Sequence, residues 1–227
     1  MTDAHAAPSP GSAPAPTRDR VLSHAMRLFG EQGYSATTVA QIESAAGLRP
    51  GTGGLYRHFA SKRDLLEAGV REQLASQREL IAFIAAPADL VSASLRERLV
   101  AIAKAALARL DEERDLNRII LRDLRDFPEL IRLVRANEMN SIQSVLSEWL
   151  AAQAGPDAAD VDWSALAAVL MGSVSHYWVL RDSMGTHPSG VDEERYLSVL
   201  ADLVMARLTE ASGQEWARRG SNPRPAD

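Results

Sequence analysis

Between residues 37 and 63 the chain collects groups that hold anions and read hydrogen-bonding edges. Thr37 and Thr38 supply hydroxyls, Arg49, Arg57, Lys62 and Arg63 supply cations, and Tyr56 and His58 supply rings with a polar tip. Hydroxyls, cations and helix starts take phosphate oxygens, because unpaired N–H groups and the helix dipole favour negative charge there. A guanidinium fork such as that of Arg49 can also grip two acceptors on one base edge. From Thr17 to Arg63 there are seven basic residues (Arg18, Arg20, Arg27, Arg49, Arg57, Lys62, Arg63) against three acids (Asp19, Glu31, Glu43). From Asp64 onward acids outnumber bases 26 to 18, and the whole chain carries a net charge of −5. A basic head on an acidic body turns the head, not the body, toward a polyanion.

The elements that must position these groups read as helices. Val21, Leu22, Ala25, Leu28 and Phe29 recur at three and four, and Gly33 stops that run. Thr38 followed three residues later by Gln41 is a capping box that opens a short helix (Val39, Ile42, Ala45, Ala46), which Gly47 ends. Leu55, Tyr56 and Phe59 are expected in a third short helix. Ser61 is expected to cap a long one through about Ile84, closed by Pro87. Further helical spacing covers about 92–110, 114–126, 129–152, 162–182 and 192–211. Residues 1–16, with four of the eleven prolines, read as a disordered arm, and 213–227 as a flexible tail. No segment alternates with period two. The expected fold is all-α with about nine helices: a three-helix unit over 17–63, with a helix-turn-helix at about 38–59, and a larger helical body over 64–212.

Composition sets the outer bounds. A chain of 227 residues, 46% hydrophobic and 24% charged, buries an ample core. With no cysteine it has no disulfide framework, thiol nucleophile, thiolate zinc site or iron–sulfur cluster. The start of the chain carries no secretory signal pattern, so a reducing cytoplasm is the expected compartment.

The run Leu28–Leu66 resembles the DNA-binding domain of the TetR family of bacterial transcriptional regulators. The shared features are Leu28-Phe29 with Gly33-Tyr34, Thr37-Thr38-Val39, Ile42, Ala46-Gly47-Leu48, Leu55-Tyr56, His58-Phe59, Ser61-Lys62 and Leu65-Leu66. The later helices resemble the family's ligand-binding and dimerisation domain in number and length. The resemblance implies a homodimer on a double-stranded, pseudo-palindromic operator, with the third helix in the major groove and a small, mostly apolar effector. One departure matters. Family members commonly have seven residues from the turn Gly to the following Tyr, whereas Gly47 to Tyr56 spans nine. Either the turn is longer, or a Gly-rich first helical turn brings backbone close to DNA. The cost of three helical glycines, ~1 kcal/mol each, favours the longer turn. Arg49 and Thr52, then Arg57, are expected at base edges, with Pro50 and Gly53 beside them. Tyr56, Lys62, Thr37, Thr38 and His58 are expected to position phosphates.

Other features carry weaker chemistry. The eighteen residues Trp163–Leu180 hold no charge, but Ser164, Gly172, Ser173, Ser175 and His176 interrupt them. They read as a helix buried between the core and a partner subunit, paired with the helix at 192–211 in an intersubunit bundle, and not as a membrane span. An effector cavity is expected among Phe83, Ile102, Ile120, Leu124, Met139, Ile142, Trp149, Met171, His176 and Tyr177, although His176 reads more readily as a hydrogen-bonded core or interface residue. Asp111-Glu112-Glu113 reads as a polar loop, and Arg118, Arg122 and Arg125 beside Asp123 and Asp126 as a salt-bridged surface. No metal or cofactor is expected. The alternatives are an enzyme on a helical bundle, against which stands the lack of any catalytic motif, and a module that binds protein instead of DNA.

Overall fold

The computed structural model describes residues 17–74, 78–86, 93–136, 140–154 and 161–220. Every regular element among them is helical. The chain divides into two compact units, one through Gly69 and one from Val70 on.

In the first unit α1 (Thr17–Gln32) buries Val21, Leu22, Ala25, Met26 and Phe29, the face that spacing by three and four dictates. α2 (Val39–Ala45) packs on α1 and opens on the expected box: Thr38 Oγ1 accepts from Gln41 N at 3.3 Å, and Gln41 Oε1 accepts from Thr38 N at 2.7 Å. α3 (Lys62–Leu74) closes the unit with Leu65 and Leu66, both fully buried. At Gly69 an added Cβ would lie 2.7 Å from Met26 Cγ, so α1 and α3 approach there as only glycine permits. The third helix expected at Leu55–Phe59 is a single 3-10 turn, Leu55–Arg57. Residues 75–77 lie outside the described residues, as does the continuity of the long helix expected from Ser61 to Ile84.

The second unit is a helical body. Its elements are α4 (Arg78–Ala85), α5 (Leu95–Glu112), α6 (Arg114–Arg122), a 3-10 turn Leu124–Asp126, α7 (Pro128–Val134), α8 (Asn140–Ala154), α9 (Trp163–Met184) and α10 (Glu193–Gly220). α5 begins on a capping box in which Ser94 Oγ accepts from Glu97 N and Glu97 accepts from Ser94 N at 2.7 Å. One apolar core joins α4, α5, α8, α9 and α10 through Ile84, Leu99, Leu146, Leu150, Leu170 and Val204. A smaller one gathers Leu107, Val174, Tyr177, Trp178 and Leu197. α9 is the one described helix long and apolar enough to cross a membrane; Ala167, Leu170, Val174, Tyr177 and Trp178 on it pack into these cores. α10 runs to Gly220, into the stretch read as a tail; 221–227 lie outside the described residues.

Two local readings change. Asp111 and Glu112 are not loop residues but the last turn of α5. Arg118 reaches beyond its own helix: it grips Asp182 of α9, Nε to Oδ2 at 2.8 Å and Nη2 to Oδ1 at 2.9 Å.

Candidate nucleic-acid interface and effector cavity

The helix-turn-helix unit has a recognition segment that is mostly loop. From Leu48 to Gly54 no helix forms, and Gly51 and Gly53 adopt φ of 75° and 74°, a left-handed backbone that glycine reaches at little cost. The segment is tied at three points. Thr52 Oγ1 donates to Arg49 O at 2.8 Å, Tyr56 N donates to Gly53 O at 3.1 Å, and the carboxylate of Glu43 on α2 lies beneath. Glu43 is 0% exposed. Its Oε2 accepts from Gly51 N at 2.7 Å and its Oε1 from Leu55 N at 3.1 Å. The longer turn is therefore the arrangement adopted, and its organiser is an acid that sequence reasoning counted only as a charge.

The residues expected on DNA separate into two groups. Thr38, Arg49, Pro50, Thr52, Tyr56, Arg57 and His58 are exposed, Tyr56 by 55%, and Gly53 is half-buried among them. Thr37 and Lys62 turn inward. Thr37 is 1% exposed, donates from Oγ1 to Gly33 O at 2.7 Å and accepts from Gln32 Nε2 at 3.1 Å. Lys62 Nζ donates to the carbonyls of Tyr34 and Thr37, each at 2.8 Å, and sits 4.1 Å from the Tyr34 ring centroid. Both hold the connection between α1 and α2. Backbone carbonyls inside the unit take these donors. Burial raises the Tyr34 phenol above its ordinary pKa, with Arg63 opposing, so the ring is neutral at physiological pH.

The second unit holds a cavity of about 300 Å³ lined by α4, α5, α6, α7, α8, α9 and α10. Ile102, Ile120, Ile142 and Met171 line it as expected. Five other expected residues do not. Phe83 and His176 face solvent, Leu124 and Trp149 are buried in packing, and Tyr177 stacks on His187 at 4.9 Å. The expected Met139 lies outside the described residues. What periodicity missed is a polar edge. Arg109 Nη2 donates to Glu113 Oε2 at 2.9 Å across one turn, and Asn117 Nδ2 donates to Leu110 O at 3.0 Å, all three residues facing the cavity. Among the described residues no cluster of His, Asp and Glu could hold a metal ion.

Comparison with known proteins places this geometry. Residues 21–68 match the family of bacterial regulatory proteins named tetR, and residues 95–214, over half of the chain, match the C-terminal domain of the HTH-type transcriptional dual regulator CecR. The chain belongs to the TetR family. The HTH-type transcriptional repressor KstR2 of Mycolicibacterium smegmatis is 41% identical over 68 residues, which are 30% of this chain and only 32% of that relative. The uncharacterised HTH-type regulator YvkB of Bacillus subtilis is 24% identical over 189 residues, 80% of this chain and 92% of its own. A TetR regulator structure from Chloroflexus aurantiacus superposes with a TM-score of 0.64 at 23% identity, covering 83% of this chain and 94% of that one. This TetR-family chain is thus a DNA-binding transcriptional regulator. Neither the enzyme nor the protein-binding alternative finds support in these relatives.

Proposed function

We propose that the protein is a homodimeric repressor that a small, mostly apolar effector releases from a pseudo-palindromic operator. The observation that carries this reading is an apolar cavity of ligand size in the body of a chain whose head is a helix-turn-helix unit. Pockets of this volume suit a small molecule held by apolar contact and oriented by a few polar groups. Arg109, Glu113 and Asn117 are such groups, and with the Arg109 guanidinium already closed by Glu113 they favour an uncharged polar end on the guest. An effector that prefers the weakly binding conformer by about 2.7 kcal/mol lowers operator affinity a hundredfold.

The partner subunit would seat on the outer faces of α9 and α10. Val169, Val199 and Leu203 are 62%, 59% and 65% exposed there, and at Gly172 an added Cβ would meet nothing within 4 Å. Contiguous apolar exposure of this kind marks an association surface. Two copies joined through it would present two heads to successive major-groove faces, about one helical turn apart or slightly more, in the cytoplasm. A mobility shift with upstream genomic DNA, run beside sedimentation velocity, tests the proposal. A salt-sensitive, fragment-specific shift by a dimer supports it; a monomer that prefers no fragment over bulk competitor overturns it.

A further inference from the structure

Glu43 stands where an acid is expensive. It lies on the inner face of α2 next to Ile42, both 0% exposed, and a buried carboxylate is tolerated only where hydrogen bonds replace its water. Both of its oxygens do find backbone donors, and both donors belong to the same lengthened segment: Gly51 and Leu55. Gly54 shows how closely that segment is laid over the acid, since a Cβ there would lie 3.2 Å from Leu48 Cδ1 and 3.7 Å from Glu43 Oε1. The main chain of α2 joins in, as Glu43 O accepts from Leu48 N at 2.8 Å. The segment has no helical ladder to set its shape; a single 3-10 turn follows it. A groove-reading element must nonetheless hold its side chains within a fraction of an ångström, because base edges are read by paired hydrogen bonds.

We propose that Glu43 is the positioning residue for sequence recognition, and that Arg49–Gly54 enters the groove as a loop moulded on its carboxylate instead of as a helix. This rests on the DNA-binding reading above. Selectivity then depends on the Glu43 clamp, whereas the attraction to phosphates, carried by exposed side chains such as Arg57 and Thr38, does not. The two contributions come apart experimentally, because phosphate contacts set the salt dependence and base contacts set the preference between sequences.

The full chain is used to select duplexes from a random-sequence pool. Binding to an enriched duplex and to an unenriched one is then followed by fluorescence anisotropy across a salt series. Glu43→Gln keeps the side chain's size but sets an NH2 donor against one of the two N–H groups. It is expected to reduce the ratio of specific to nonspecific affinity at least tenfold with the salt slope unchanged, while circular dichroism shows the helices intact. Gly51→Ala tests the same loop without touching the buried acid: its Cβ meets nothing within 4 Å, but φ is 75°. It should lose the same ratio. A folded Glu43→Gln chain that retains the wild-type ratio overturns the proposal. If that variant does not fold, a Gly51→Ala chain with the wild-type ratio overturns it instead. A fall in both affinities together would mark Glu43 as a fold element only and also count against the proposal. A wild-type chain that enriches no sequence refutes the DNA-binding reading itself, a result distinct from these.

Discussion

The ammonium of Lys62 lies 4.1 Å from the ring centroid of Tyr34 and donates to that residue's own carbonyl at 2.8 Å. A second donation, to Thr37 O, makes α3 hold the connection between α1 and α2 by its first residue. A cation so committed is expected to contribute to DNA binding through shape. Lys62→Met is expected to destabilise the chain by about 1–3 kcal/mol through the two abandoned carbonyls. It should weaken binding to all duplexes and leave the salt slope unaltered. Urea unfolding and anisotropy against salt check this, and a slope lower by about one ion would return Lys62 to the phosphate-binding group.

Arg57 and Arg49 are expected to differ in kind. Arg57→Ala should lower affinity for every sequence and reduce the salt slope by about one. Arg49→Ala should relax preference at one base pair, costing about 1–3 kcal/mol there. Competition between single-base variants of an enriched duplex separates the two. Equal behaviour of both variants would contradict the assignment.

Ala106 lines the cavity from α5. Ala106→Phe should fill much of the 300 Å³ and abolish uptake of a neutral solvatochromic dye while operator binding persists. Overpacking sets the limit on what the fold loses, about 1–3 kcal/mol. Dye fluorescence and a mobility shift on one preparation report both outcomes; dye binding unchanged by the substitution would place the ligand site elsewhere.

Acid should loosen the second unit in a predictable direction. Burial alone would raise the pKa of Asp111, but hydrogen bonds from Arg114 and Trp178 and the charge and hydrogen bond of Arg181 outweigh it, leaving the carboxyl below 3.8. A depressed folded value stabilises the native state above the unfolded pKa, and that contribution is lost as pH falls through the folded one. Urea midpoints should therefore drop between about pH 5 and pH 2, and Asp111→Asn should flatten part of that decline. A parallel decline in the variant would mean that other carboxylates carry the effect.

Much of the first unit was readable because its punctuation is chemical. Gly33 ends α1 and Thr38 with Gln41 starts α2 whatever surrounds them. Glu43 was not readable: its partners are backbone N–H groups eight and twelve residues on, which leave no mark in residue type. The available signal was its seat beside Ile42, three residues before Ala46, on the apolar stripe of a helix followed by a turn two residues too long. The carbonyl partners of Lys62 leave no mark either, because a cation at a helix start has the same appearance whether it faces a phosphate or a carbonyl. In the second unit the cavity was half legible. Ile102, Ile120 and Ile142 lie on stripes whose phase is clear, whereas α9 is apolar on all sides, so periodicity could not tell outward His176 from inward Met171.

α6 carries two duties. Asn117, Ile120 and Leu121 form part of the cavity wall, while Arg118 is bolted to Asp182, whose side chain is only 8% exposed. Nine residues are too few to bend. A guest that needs more room than the wall allows must shift the whole rod, and the rod is moored to α9 by a paired fork that tolerates little sliding. The threshold for admitting bulk is thus written in the Arg118–Asp182 pair as much as in the apolar wall, and loosening that mooring should widen the range of molecules the body accepts.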